Sequence, residues 1–106
     1  MPESPKEWTF FSNHTHVLYC LAKEPDRPLR LVAQQIGITE RAVQLIVHDL
    51  EEAGVLRRRR EGRQNRYELD FSVALRHPIE KHVTIGEVLA PLLRNTPPEG
   101  PLLPTE

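Results

Sequence analysis

With 106 residues, 39% of them apolar and 27% charged, the chain has the length and composition of one soluble globular domain, and a second domain is not expected. It has no run of about eighteen apolar residues and no basic-then-apolar leader, so neither a membrane span nor export is expected, and the expected location is the cytoplasm. One cysteine excludes an internal disulfide, and the net charge of −1 hides an uneven distribution: of the fourteen Lys and Arg, six fall within residues 57–66 beside one acid, leaving eight against fourteen Asp and Glu elsewhere.

Residues 1–7, MPESPKE, read as a flexible polar arm. Trp8, Phe10 and Phe11 come next, half of the six aromatic side chains and too many to leave in water on a small monomer, so they are expected in the core or at a dimer contact. A helix starting near Ser12 places His14, Val17, Leu18 and Leu21 on one face and sets Cys20 within an apolar pattern that favours a buried thiol. Residues 24–28, EPDRP, form a turn, and Pro28 is placed to start a second helix.

In that second helix Leu29, Val32, Ala33 and Ile36 recur at helical spacing, leaving Arg30, Gln34 and Gln35 outside. Gly37 can end it in the left-handed region, Thr39 can cap the next helix, and Glu40 suits that helix's positive end. A third helix over 39–53 turns Val43, Ile46, Val47 and Leu50 inward and Glu40, Arg41, Gln44, Leu45 and His48 outward. Tyr67, Leu69 and Phe71 then alternate with Arg66, Glu68 and Asp70 as in a half-buried strand, whose partner spans roughly 55–60. The intervening EGRQN reads as a loop of about five residues, with Gly62 and Asn65 tolerating positive φ.

Ala33, Gly37, Val43 and Ile46 fall at the spacings of the helix-turn-helix signature. The stretch from Asp49 to Leu69, DLEEAGVLRRRREGRQNRYEL, resembles the end of a recognition helix and the wing of winged-helix transcription regulators of the MarR and ArsR type, and the likeness covers most of residues 10–93. The resemblance implies an α+β, mainly α fold: a winged helix-turn-helix with a two-stranded wing and a C-terminal dimerisation helix. It also implies a sequence-specific regulator that binds double-stranded DNA as a homodimer, with recognition helix 39–53 in the major groove and wing 57–66 on phosphates or the minor groove.

Within that frame Arg41 suits guanine, Gln44 suits adenine, and Glu40 can accept from cytosine. Leu45 fits a thymine methyl or packing on the wing, His48 is in reach of DNA, and Thr39 and Arg30 are candidates for backbone phosphates. On the wing, Arg63 and Arg66 flank the tip and come first, joined by Arg58, Arg60, Gln64 and Asn65. Alternation along 57–60 turns two of those four arginines away from DNA or toward Glu51, Glu52 and Glu68.

A last helical pattern gathers Ile85, Val88, Leu89, Leu92 and Leu93, with Pro91 predicting a bend or an early stop. Trp8, Phe10, Phe11, Val88, Leu89, Leu92 and Leu93 form the expected dimer interface. The domain is expected over 8–94, and residues 95–106, with four prolines, read as a disordered tail. His14, His16, Cys20, His77 and His82 lack metal-ligand spacing, and no nucleophile with its base or phosphate-cradling loop occurs, so no metal, cofactor or enzymatic activity is expected. Two other readings stay open: a winged-helix protein-interaction module, and a ligand- or redox-sensing regulator that uses the dimer cleft or Cys20. A small-molecule effector is left open without an identity.

Overall fold

The computed structural model describes residues 8–95; the expected arm at 1–7 and the expected tail past Asn95 lie outside the described residues. Helices α1 (Asn13–Lys23), α2 (Leu29–Ile36) and α3 (Glu40–Glu52) are followed by strands β1 (Leu56–Glu61) and β2 (Gln64–Leu69) and by helix α4 (Ile85–Arg94). The fold is α+β and mainly helical, with four helices and a two-stranded antiparallel sheet among the described residues. None of these helices is long and apolar enough to cross a membrane.

The junction of α2 and α3 is fixed by two residues. Gly37 adopts φ 92°, where a Cβ is strained, and donates its N–H to the Ala33 carbonyl at 2.8 Å. Thr39 then caps α3, its hydroxyl accepting from the Ala42 N–H at 3.0 Å. With the turn closed this way, Val32 and Ala33 of α2 meet Val43, Ile46, Val47 and Leu50 of α3, and Val17, Leu18 and Leu21 of α1 complete a three-helix core. Val55, Leu56, Tyr67 and Leu89 close it from the hairpin and α4.

Cys20 is buried, and desolvation pushes its thiol above the ordinary range, with Arg27 opposing. Burial likewise raises Tyr67, against the pull of Arg58. In both cases the folded chain keeps a proton that the unfolded chain gives up sooner. Their contribution to stability is therefore present below the unfolded value and is lost as pH rises through the folded one. Native protein should accordingly leave Cys20 unreacted toward an aromatic disulfide reagent at neutral pH, with modification tracking unfolding in urea; fast stoichiometric labelling of the native state would contradict this burial.

Several expectations are corrected. The hairpin register runs from Leu56↔Leu69 to Glu61↔Gln64, so Gly62 and Arg63 alone form the turn and the five-residue loop does not exist. Gly62 takes φ 62°, whereas Asn65 pairs with Arg60 inside the ladder. β2 ends at Leu69, and Phe71 lies in a turn, 41% exposed. Trp8 and Phe10 are not core residues: they stand 75% and 87% exposed, edge to face with ring centroids 5.0 Å apart.

Leu89, expected at a dimer interface, is only 1% exposed within the single chain and packs into its core, because α4 lies against α1. Val88, Leu92 and Leu93 are half-buried. α4 runs past Pro91 to Arg94 and stops there, Asn95 donating both its backbone N–H (3.2 Å) and its Nδ2 (2.6 Å) to the Pro91 carbonyl. Its start is fixed by a capping box in which Thr84 and Glu87 satisfy each other's backbone N–H groups. Ahead of it, Ala74 and Thr84 form an isolated antiparallel bridge, flanked by Leu75 N–H to Val83 O and Ile85 N–H to Val73 O. No sequence periodicity announces that pairing.

Candidate nucleic-acid interface

On α3 the outward face is set by the same stripe that builds the core. Once Val43, Ile46, Val47 and Leu50 point in, Glu40, Arg41, Gln44, Leu45 and His48 must point out, and all five are exposed. Arg41 has no ion-pair partner among the described residues, and Leu45 is 54% exposed, an apolar residue within a polar face. The second half of α3 differs in sign. Asp49, Glu51 and Glu52 gather there, Asp49 against His14 at 2.9 Å and Glu52 near His48 at 3.7 Å. Phosphate is repelled from that end, so of the expected contact helix 39–53 only its first two to three turns suit a polyanion.

The hairpin's register sorts its arginines by face. Leu56, Arg58 and Arg60 lie opposite Leu69, Tyr67 and Asn65, on the side that carries the buried Leu56 and Tyr67. Arg57, Arg59 and Glu61 lie opposite Glu68, Arg66 and Gln64 on the outer side. Acids then divide them further. Glu68 holds Arg59 at 2.9 Å and Arg57 at 3.8 Å, Glu61 reaches Arg59 at 3.8 Å, and Glu51 of α3 takes Arg58 at 3.3 Å.

Arg60, Arg63 and Arg66 have no carboxylate partner among the described residues; the Arg60 Nε donates instead to the Gly62 carbonyl at 3.1 Å. Arg66 also stands directly across from Arg59, and facing like charges destabilise a strand pair unless an anion lies nearby. The expected set Arg58, Arg60, Arg63 and Arg66 thus separates. Three remain available, while Arg58, on the same face as Arg60, is tied to Glu51 of α3.

The hairpin is positioned by the turn between α1 and α2. Tyr67 donates its N–H to the Pro25 carbonyl at 2.9 Å, on the edge of β2 away from β1. A niche of about 200 Å³ lies between that turn and the hairpin tip, bounded by Arg27, Pro28, Arg63, Gln64, Asn65 and Tyr67 among others. The tip is therefore close to the start of α2, where Arg30 is exposed and unpaired among the described residues. The Tyr67 hydroxyl is buried without a hydrogen bond of good geometry, although the Asn65 side chain is near enough to oppose the upward push on its pKa. Thr39 spends its oxygen on the Ala42 N–H, which leaves its hydroxyl hydrogen free to donate.

Of the acids expected to pair with the arginine run, Glu51 and Glu68 do so, whereas Glu52 stands against His48 at 3.7 Å. Sequence reasoning missed Asp49 as the partner of His14 and the opposition of Arg59 to Arg66. Register alone reveals the second, and the approach of α1 to α3 the first. Among the described residues no group of three or more His, Cys, Asp or Glu side chains gathers for a metal ion. No protein-family model matches the chain, and comparisons with curated proteins and with solved structures likewise find no match.

Proposed function

We propose that the protein is a winged-helix, sequence-specific DNA-binding regulator acting as a homodimer. In this reading the first turns of α3 enter the major groove and the hairpin serves as the wing. The observation that carries it is the sorting of charge. On a chain of net −1, acids pair with Arg57, Arg58 and Arg59 of the hairpin and leave Arg60, Arg63 and Arg66, with Arg41 on α3, without carboxylate partners among the described residues. Arg41 and Gln44 would read base edges, with Glu40, Leu45 and His48 beside them; Arg63 and Arg66, with Arg60, Gln64 and Asn65, would meet phosphates or the minor groove. Thr39 and Arg30 would donate to the backbone at the helix-turn-helix.

For the homodimer, support comes from apolar surface. Trp8, Phe10 and Phe11 are exposed, and Phe71, Ala90 and Leu93 line an open hollow of about 550 Å³ beside α4. Half-sites would then lie about one helical turn, roughly 34 Å, apart. Selection of bound fragments from a random duplex pool, then anisotropy titrations over a salt series, tests the reading. A shared motif and an affinity that falls linearly with log salt are expected, while no duplex binding at low salt would end it. Within that assay Gln44→Ala should cost about 1–3 kcal/mol on the selected site and little on scrambled duplex. Equal loss on both would remove Gln44 from base reading.

The acidic end of α3 and the exposed Leu45 favour one second reading, a protein-interaction module on the same fold. It predicts a protein partner that binds with no nucleic acid present.

A further inference from the structure

A cavity of about 480 Å³ opens on the side of the molecule where the start of α1, the end of α3 and the 73–85 segment meet. Its size falls within the range of small-molecule sites, roughly 300–1,000 Å³. The apolar part of its lining is supplied by Leu18, Leu50, Val55, Val73, Leu75 and Ile85. Polar groups converge on the same space, and their charges are unbalanced. Three acids, Asp49, Glu52 and Glu80, are among the lining residues, against one arginine, Arg76, with His14 and His77 beside them.

Two of those carboxylates are only partly engaged. Asp49 uses one oxygen on His14 and Glu52 stands 3.7 Å from His48, while Glu80 has no side-chain partner among the described residues. The ring of His77 is fixed by accepting the Ile79 N–H on Nδ1 at 3.1 Å. The 73–85 wall closes the space through the Ala74↔Thr84 bridge and its two flanking hydrogen bonds, so it is a folded wall and not a crossing loop.

We infer that this cavity is a binding site for a small organic monocation, an ammonium or amidinium carried on a compact apolar or aromatic body. The apolar lining would take the body and exclude water from it. The carboxylates of Asp49, Glu52 and Glu80 would take the charge, with Glu80 contributing most because nothing else occupies it. An anionic ligand would meet three like charges, and a neutral one would gain nothing from the carboxylates. The inference rests on the cavity and its charges alone, so it stands or falls separately from DNA binding.

Three probes of one shape and different charge test it on the full chain: naphthylmethylammonium, naphthylmethanol and naphthoate, each titrated into isotopically labelled protein and tracked by amide shifts. The cation should saturate, moving amides of 49–53 and 73–85, and bind about tenfold or more tighter than the alcohol, with no saturation by naphthoate. Glu80→Gln, on an exposed turn, should weaken the cation about two- to fivefold with the spectrum otherwise retained, and Arg76→Gln should tighten it. Equal affinity for the three probes, preference for naphthoate, or shifts centred on α2 and the hairpin would overturn the assignment.

Discussion

Replacing Arg63 and Arg66 together by Ala should weaken duplex binding about 10- to 100-fold at low salt, for selected and scrambled sequences alike, and reduce the slope of log affinity against log salt by about two. Each lost guanidinium is one phosphate no longer neutralised and roughly one counterion no longer released. Arg58→Ala is the matched control, since its charge is already spent on Glu51 at 3.3 Å; its removal should cost less than about threefold and leave the slope nearly unchanged. Anisotropy over several salt concentrations measures all three proteins. If Arg58→Ala loses as much affinity and slope per arginine as the double replacement, the sorting of arginines by ion pairing has no bearing on function.

Leu89→Ala should cost about 2–5 kcal/mol of stability, because a side chain only 1% exposed leaves a cavity that surrounding residues cannot fill. Against the total of about 5–15 kcal/mol usual for a domain, much of the margin would be gone. Urea unfolding would show a lowered midpoint that does not depend on protein concentration, since the loss lies within one chain. Leu93→Ala offers the contrast. It lines the open hollow beside α4, so it should cost about 1 kcal/mol or less in the single chain while weakening self-association measured by sedimentation. A concentration-dependent loss at Leu89 would return that residue to the interface between copies.

These two cases also mark what can be read from residue order. The three-helix core and its turn were legible because each rests on local chemistry: apolar spacing at Val43, Ile46, Val47 and Leu50, a left-handed Gly37, a capping Thr39. Leu89 and Leu93 belong to one apolar stripe, and spacing alone does not say which part meets the chain's own core and which stays open. Hairpin register is also nonlocal. EGRQN permits a five-residue loop, but pairing Glu61 with Gln64 and Arg60 with Asn65 adds two ladder positions and leaves the bend to Gly62 and Arg63. The 480 Å³ cavity was invisible, because its walls come from three segments far apart in the chain.

The run Arg57 to Arg60 has a consequence apart from any ligand. A sheet of only two strands has two edges, and β2 covers part of its own by donating the Tyr67 N–H to the Pro25 carbonyl. β1 has no third strand beside it among the described residues, and a bare strand edge is a template on which other chains can stack. Along that edge Arg57 to Arg60 alternate between the two faces, and their long charged side chains hinder the approach of a second copy. On that account Arg57→Thr with Arg59→Thr should make the protein more prone to aggregate at high concentration, as light scattering would measure.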